Sequence, residues 1–303
     1  MVANVAWLGP GVDARGSERC TSILLLHESE QGWRGSQFNA ATLAPLWSSF
    51  RQPHLHGVRG PLAILGASGS VGVELELERT SRPCTSQCAP FATDQYLRWQ
   101  SETGVAARGR WRFGEDFHET VDAVGYHERV RGHWGWPELG GWVFGFANDP
   151  AEGKTRAPPT AIVFTLIQPP APDDAPTSSV MIWRDGRLLR HFPRRRVTVA
   201  VRGELDQARI VQVPELAPLL GVPRMSTISR RLVICAAMED ASVALDFTCE
   251  AAARIVIPSE TGTAPFSVHE VIGPVSVEGH IGTRRFEFAT RGIVEFAGGA
   301  LAD

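Results

Sequence analysis

An all-β protein of antiparallel strands is expected from this sequence, on three grounds. Apolar residues recur with period two rather than 3.6, turn-forming residues separate apolar runs at short spacing, and helical pattern is scarce. Strands in such number are best accommodated in a sandwich or a barrel.

Val71 to Glu78 alternates apolar and polar residues, as a strand with one face on a core should. In SVMIWRDGRLLRHF, Asp185-Gly186 stands between two apolar arms; both residues tolerate positive φ, so a tight hairpin is expected. RRVTVAVRGEL gives a further strand, with Arg194–Arg196 as its solvated end. RLVICAAMEDASVALDFTC folds back at Glu239-Asp240. The closing stretch, VSVEGHIGTRRFEFATRGIVEFAGG, reads as three short strands turning at Gly282 and Gly292. Helical character is confined to Pro214–Val222, and Pro169–Pro176 reads as an exposed loop. Periodicity stops across Asp149–Pro159, which divides the chain into two β domains, 1–153 and 154–303.

At 303 residues, 43% apolar and 21% charged, the chain has the composition of a soluble globular protein. A net charge of -3 without a basic stripe argues against a nucleic-acid partner. No apolar run reaches membrane-spanning length, and MVANVAWLGPGVDARG lacks the basic start and apolar centre of a signal peptide; a cytoplasmic protein is expected. Cys84 and Cys88 form a CxxxC pair with no second pair, and His54 and His56 have no clear third ligand, so no metal site is expected. Ala63–Leu77 carries glycines at 66, 69 and 72, but a period-two strand follows where a dinucleotide loop needs a helix; a glycine-rich β-turn is expected.

The segment GYHERVRGHWGWPELGGWVFGF concentrates aromatic and titratable groups. On a strand, Tyr126 and Glu128 share one face, while His127 and Arg129 share the other. A carboxyl buried beside aromatic surface is kept protonated by desolvation and becomes a usable acid. A packed barrel with a satisfied Glu–Arg pair is the structural alternative.

This segment resembles the signature of the carotenoid 1,2-hydratase (hydroxyneurosporene synthase) and AttH-like superfamily. Gly125, Tyr126 and His127 match its Gly-Tyr-His, Glu128 stands at its acid, and Trp134-Gly135 match its Trp-Gly. SSVMIWRDGRLL resembles its central hairpin, and the stretch from Phe266 to Gly299 its C-terminal strands. The likeness runs from Val121 to Gly299. Arg129 replaces a second histidine of the motif, and His133 is a candidate substitute.

The resemblance implies two lipocalin-like antiparallel β-barrel domains around an apolar site, with no organic cofactor required. It implies an enzyme for a hydrophobic polyene, isoprenoid or polyketide substrate. Cyclisation, including the Diels–Alder type, is the first expectation; hydration of a double bond and non-catalytic carriage of a lipophilic ligand are the alternatives. Glu128 is the expected acid, oriented by Tyr126 and His127, with Trp134, Trp136 and Trp142 as the apolar wall. Arg129, His133, Tyr96, Trp99 and His269 complete the candidate substrate contacts; for Tyr96, Trp99 and His269 a purely structural role is the competing reading.

Overall fold

A computed structural model describes residues 2–8, 19–40, 62–68, 71–88, 96–133, 140–150, 158–168, 177–213, 228–257 and 266–298. Among these residues the regular structure is β-strand, apart from single 3-10 turns at Arg194–Arg196 and Gln207–Arg209. Strands β1 (Val2–Leu8), β2 (Arg19–Glu28) and β3 (Gly32–Ala40) form a three-stranded meander. A second sheet holds β4 (Leu62–Ser68), β5 (Val71–Arg79), β6 (Cys84–Cys88), β7 (Tyr96–Phe113) and β8 (Asp116–His133). Its spine is the long β7–β8 hairpin; β5 and β6 pair with successive parts of β7.

The third sheet has eleven strands and curls into a half-barrel. Its members are β9 (Gly141–Asn148), β10 (Thr160–Gln168), β11 (Thr177–Arg184), β12 (Arg187–Pro193), β13 (Val197–Glu204), β14 (Ile210–Val213), β15 (Ser229–Met238), β16 (Ala241–Thr248), β17 (Ala251–Ile257), β18 (Phe266–Ile281) and β19 (Arg284–Gly298). The path runs β12-β11-β10-β9-β19-β18-β16-β15-β13; β17 also pairs with β18, and β14 lies parallel to β17.

Two apolar layers follow from the two faces of this sheet. Inward residues from its distant strands, among them Phe164, Ile182, Phe192, Leu232, Val271 and Phe296, meet in one cluster inside the curl. Residues of opposite parity, Trp142, Phe144, Val163, Trp183 and Val268, pack outward against Leu25, Trp33, Leu97 and Trp99 of the first two sheets. Each wholly buried large side chain contributes about 1.5–3 kcal/mol, so the layer between the sheets is a strong adhesive. Trp33 Nε1 also donates across it to the Ala251 carbonyl at 3.2 Å.

The turn at Asp185-Gly186 has φ of 48° and 73°, the paired positive values of the expected hairpin. β5 alternates as read, and β4 and β5 pair as an antiparallel hairpin rather than feeding a helix. β15 and β16 fold at Glu239-Asp240. The closing stretch differs: it forms two long strands turning at Gly282, and Gly292 lies inside β19 opposite Gly273. Gly273 marks where β18 changes neighbour from β17 to β16; a Cβ there would sit 1.8 Å from the Thr248 carbonyl oxygen. A glycine inside a strand can thus signal close backbone approach rather than a turn. β9 precedes residue 153 in sequence yet pairs with β10 and β19 in the curled sheet. Pro214–Val222, Pro169–Pro176, His54 and His56 lie outside the described residues.

Candidate active site

On β7–β8, Ser101 is the partner of Glu128 and Thr103 that of Tyr126, with Trp99 one diagonal step away. A register shift next to Gly104, where φ is +64°, bends the hairpin just beyond this group. Trp99 Nε1 donates to Glu128 Oε2 at 2.7 Å. The Tyr126 hydroxyl lies 2.9 Å from Ser101 Oγ and 3.2 Å from Glu128 Oε2. The carboxyl is thereby held between an indole and a phenol. Glu128 itself is half-buried, with part of its surface accessible.

The curled sheet supplies the opposing wall. The Tyr126 ring stacks on Phe146 with centroids 4.9 Å apart and leans on Phe144 at 5.2 Å, while Trp99 meets Phe144 at 5.2 Å. Phe144 pairs with Glu295 across β9–β19, and Glu295 pairs with Glu270 across β18–β19, so the three share the outward face. Trp142 Nε1 donates to Glu295. Three carboxyls, Glu128, Glu270 and Glu295, therefore gather where the hairpin meets the sheet.

Their protonation states diverge. Burial pushes Glu128 up to about 8, the neighbouring Glu295 charge adds to the rise, and the Trp99 and Tyr126 donors restrain it. Glu270, only 5% exposed, is raised well above the carboxylate range, first by burial and then by Glu295. Glu295 is also raised by burial, but the Trp142 indole and the Glu270 carboxyl both donate to it. Between the two bonded carboxyls, Glu270 is the donor and Glu295 the acceptor, which favours the ionised form of Glu295 over that of Glu270. Glu128 and Glu295 thus lie close enough to influence each other, beside Trp99, Tyr126 and Phe144. Tyr126 is itself raised by burial and by Glu128, which keeps its hydroxyl a donor.

The opposite face of the hairpin is a different environment. His127 Nδ1 lies 3.1 Å from Glu102 Oε2, which also accepts from Arg79 Nε at 2.9 Å. This corrects the expectation that His127 orients Glu128: strand alternation turns its ring away, onto Glu102. Arg129 shares that side and contributes charge to Glu102. Tyr96 is 44% exposed at the start of β7, so it is a surface residue rather than a pocket lining. Trp99, half of the same expected pair, is buried and touches the acid. Trp142 contacts the carboxyl cluster as well as the apolar layer. His133 ends β8 opposite Tyr96, and Trp134 and Trp136 lie outside the described residues. His269 is buried but, adjacent to Glu270 on one strand, points to the other side of the sheet.

Glu295, Glu102 and the place of Glu270 beside Glu295 are not assigned from sequence. Glu295 lies in the closing GIVEF, where alternation marks a face change but not which face a second layer will cover. The adjacent polar pair His269-Glu270 in an otherwise apolar strand was the available signal.

No protein-family model matches the chain, and no curated protein matches it in sequence. Solved structures do match it in three dimensions. A candidate AttH from Nitrosomonas europaea superimposes with a TM-score of 0.58 at 13% identity, over 98% of this chain and 91% of that one. Kievitone hydratase from Nectria haematococca superimposes with a TM-score of 0.54 at 9% identity, over 97% of this chain and 87% of that one. The chain therefore shares the fold of these two proteins, in line with the resemblance carried by the segment from Gly125.

Proposed function

We propose that this chain is an acid–base enzyme that adds water across a carbon–carbon double bond of a hydrophobic substrate, with Glu128 as acid and Glu295 as base. The observation that carries the reading is the pairing of unlike carboxyls. Glu128 is held protonated by burial, whereas Glu295, also raised by burial, receives bonds from the Trp142 indole and the Glu270 carboxyl that favour its ionised form. The hydratase among the structural neighbours supports the same reaction type.

In this scheme the Glu128 carboxyl donates its proton to one alkene carbon as the π electrons form the new C–H bond. Positive charge develops on the other carbon beside the faces of Tyr126, Phe144 and Phe146, whose ring electrons stabilise it. Water forms the C–O bond there and gives its proton to Glu295. The net change is addition of H₂O, and proton return from Glu295 to Glu128 resets the site. Trp99 and Tyr126 fix the acid, and Trp142 and Glu270 fix the base.

The finer organisation belongs to the same proposal. Strands β1–β8 make one lipocalin-like unit and the curled sheet the other, with the site where they meet and the boundary after β8. Polyene, isoprenoid and polyketide-type alkenes are the substrate classes that fit an aromatic wall. Cyclisation needs one donor and leaves the Glu295 base without a task, so hydration takes precedence; carriage needs neither.

Incubating the protein with such alkenes in ¹⁸O-labelled water tests the assignment. Hydration predicts product carrying one labelled oxygen. A product of unchanged mass indicates cyclisation, and binding without conversion of any alkene indicates a carrier; either result overturns hydration.

A further inference from the structure

The outward face of the curled sheet continues past the carboxyl cluster. Along β18, Ser276 shares that face with Glu270 and lies about 20 Å further on. Residues of β13, β15, β16, β18 and β19 surround a cleft of about 560 Å³ there, the size of an organic small-molecule site. Three guanidinium groups, Arg202, Arg230 and Arg231, line it against a single carboxylate, Asp246. Thr248 and Ser276 add hydroxyls, and Pro274 and Ala289 give it an apolar floor.

Arg202 and Arg231 are direct cross-strand partners, and both point outward because Val201 and Leu232 pack into the curl. Like charges directly opposite each other destabilise a ladder. Asp246 lies between strands to offset them: it accepts from Arg231 Nε at 2.8 Å and from Arg231 Nη2. Those bonds come first in holding Asp246 below its usual range, and the Arg202 charge also contributes, so both guanidinium groups act on one carboxylate. Three cations against one anion leave the lining two positive charges in excess. Glu204 and Glu278 share β13 and β18 with the cleft but lie outside its lining.

We propose that this cleft binds an organic phosphate, with the phosphoryl group among the three arginines and the apolar part of the ligand on Pro274 and Ala289. A phosphate monoester carries about two negative charges at neutral pH, which matches the excess in the lining. Its three outer oxygens accept from guanidinium and hydroxyl donors on different strands at once. A carboxylate brings one charge and two oxygens, and inorganic phosphate has nothing to lay on the floor. The site is distinct from the Glu128 cluster, which lies further along the same face.

Calorimetric titration of the full chain with 1-naphthyl phosphate, against 1-naphthoate and inorganic phosphate, tests this. One 1-naphthyl phosphate site per chain is expected, with affinity at least about tenfold above either comparator. Arg202→Gln should weaken that affinity about tenfold by removing one charge-assisted contact. Arg187→Gln removes the same charge at the start of β12 and should leave the affinity unchanged. Equal affinity for 1-naphthoate overturns the phosphate assignment, and equal affinity for inorganic phosphate overturns the organic ligand. Equal losses in the two variants overturn the location, and absence of binding overturns the site. Arg202 and Arg187 are both exposed, so the variants should fold, and the comparison of the three probes needs no variant.

Discussion

Two glutamates sit on the two faces of one hairpin, and their surroundings drive them in opposite directions. Burial pushes Glu102 upward, but the His127 bond and the charges of His127, Arg79 and Arg129 outweigh it and hold the carboxyl below its usual range. Glu128 has only the neutral donors Trp99 and Tyr126 and a second carboxyl nearby, and it rises to about 8. The backbone is the same; the difference is whether a cation shares the pocket. One face of β7–β8 carries an ion-paired carboxylate and the other a carboxyl whose pKa is raised by burial.

Replacing each carboxyl should expose that division. Glu128→Gln preserves shape and hydrogen-bonding capacity, so turnover of whichever substrate is accepted should fall about 10²–10⁴-fold with thermal stability intact. Near-normal turnover would remove Glu128 from the chemistry. Glu102→Leu does the reverse: it leaves Arg79 and His127 facing a low-dielectric pocket without their carboxylate. A loss of about 3 kcal/mol in urea unfolding is expected, with residual turnover in the folded fraction.

Trp99→Phe tests the neutral donor more gently. It deletes the indole bond while keeping an aromatic against Phe144, at a cost of about 1–2 kcal/mol. The bond restrains the Glu128 pKa, so its loss should carry the alkaline limb of the pH–rate profile upward. A downward shift would contradict the assigned role.

The most gradual effect is in stability against pH. Glu128 ionises near 4.5 in the unfolded chain and near 8 in the folded one, so the folded state binds the extra proton between them. Its contribution is intact below about 4.5 and is lost as pH rises towards 8, at up to about 1.4 kcal/mol per pH unit. Glu102 has the opposite sign, stabilising above its unfolded pKa and losing that benefit as acid protonates it. Denaturation series across pH 5–8 should therefore show a decline that Glu128→Gln flattens and Glu102→Gln does not.

How much of this was legible depends on how local the signal is. The shared face of Tyr126 and Glu128 follows from alternation, and the structure places the two side chains 3.2 Å apart. Asp185-Gly186 announces its hairpin through two adjacent residues. Gly292 misled because a glycine facing Gly273 within a long ladder looks, in one dimension, like a turn. Glu295 comes within reach of Glu128 only when a sheet formed by the second half of the chain packs on β7–β8. Glu102 lies in the polar run QSETG, where nothing local shows that Arg79 and His127 will converge on it.

The central claim is that one carboxyl between Trp99 and Tyr126 keeps its proton at neutral pH. A ¹³C NMR titration of glutamate side-chain carboxyls, wild type against Glu128→Gln, measures it without any substrate. The account predicts a resonance absent from the variant that titrates near 8. If the resonance removed by Glu128→Gln instead titrates near 4.5, the carboxyl is an ordinary anion and the proposed acid does not exist.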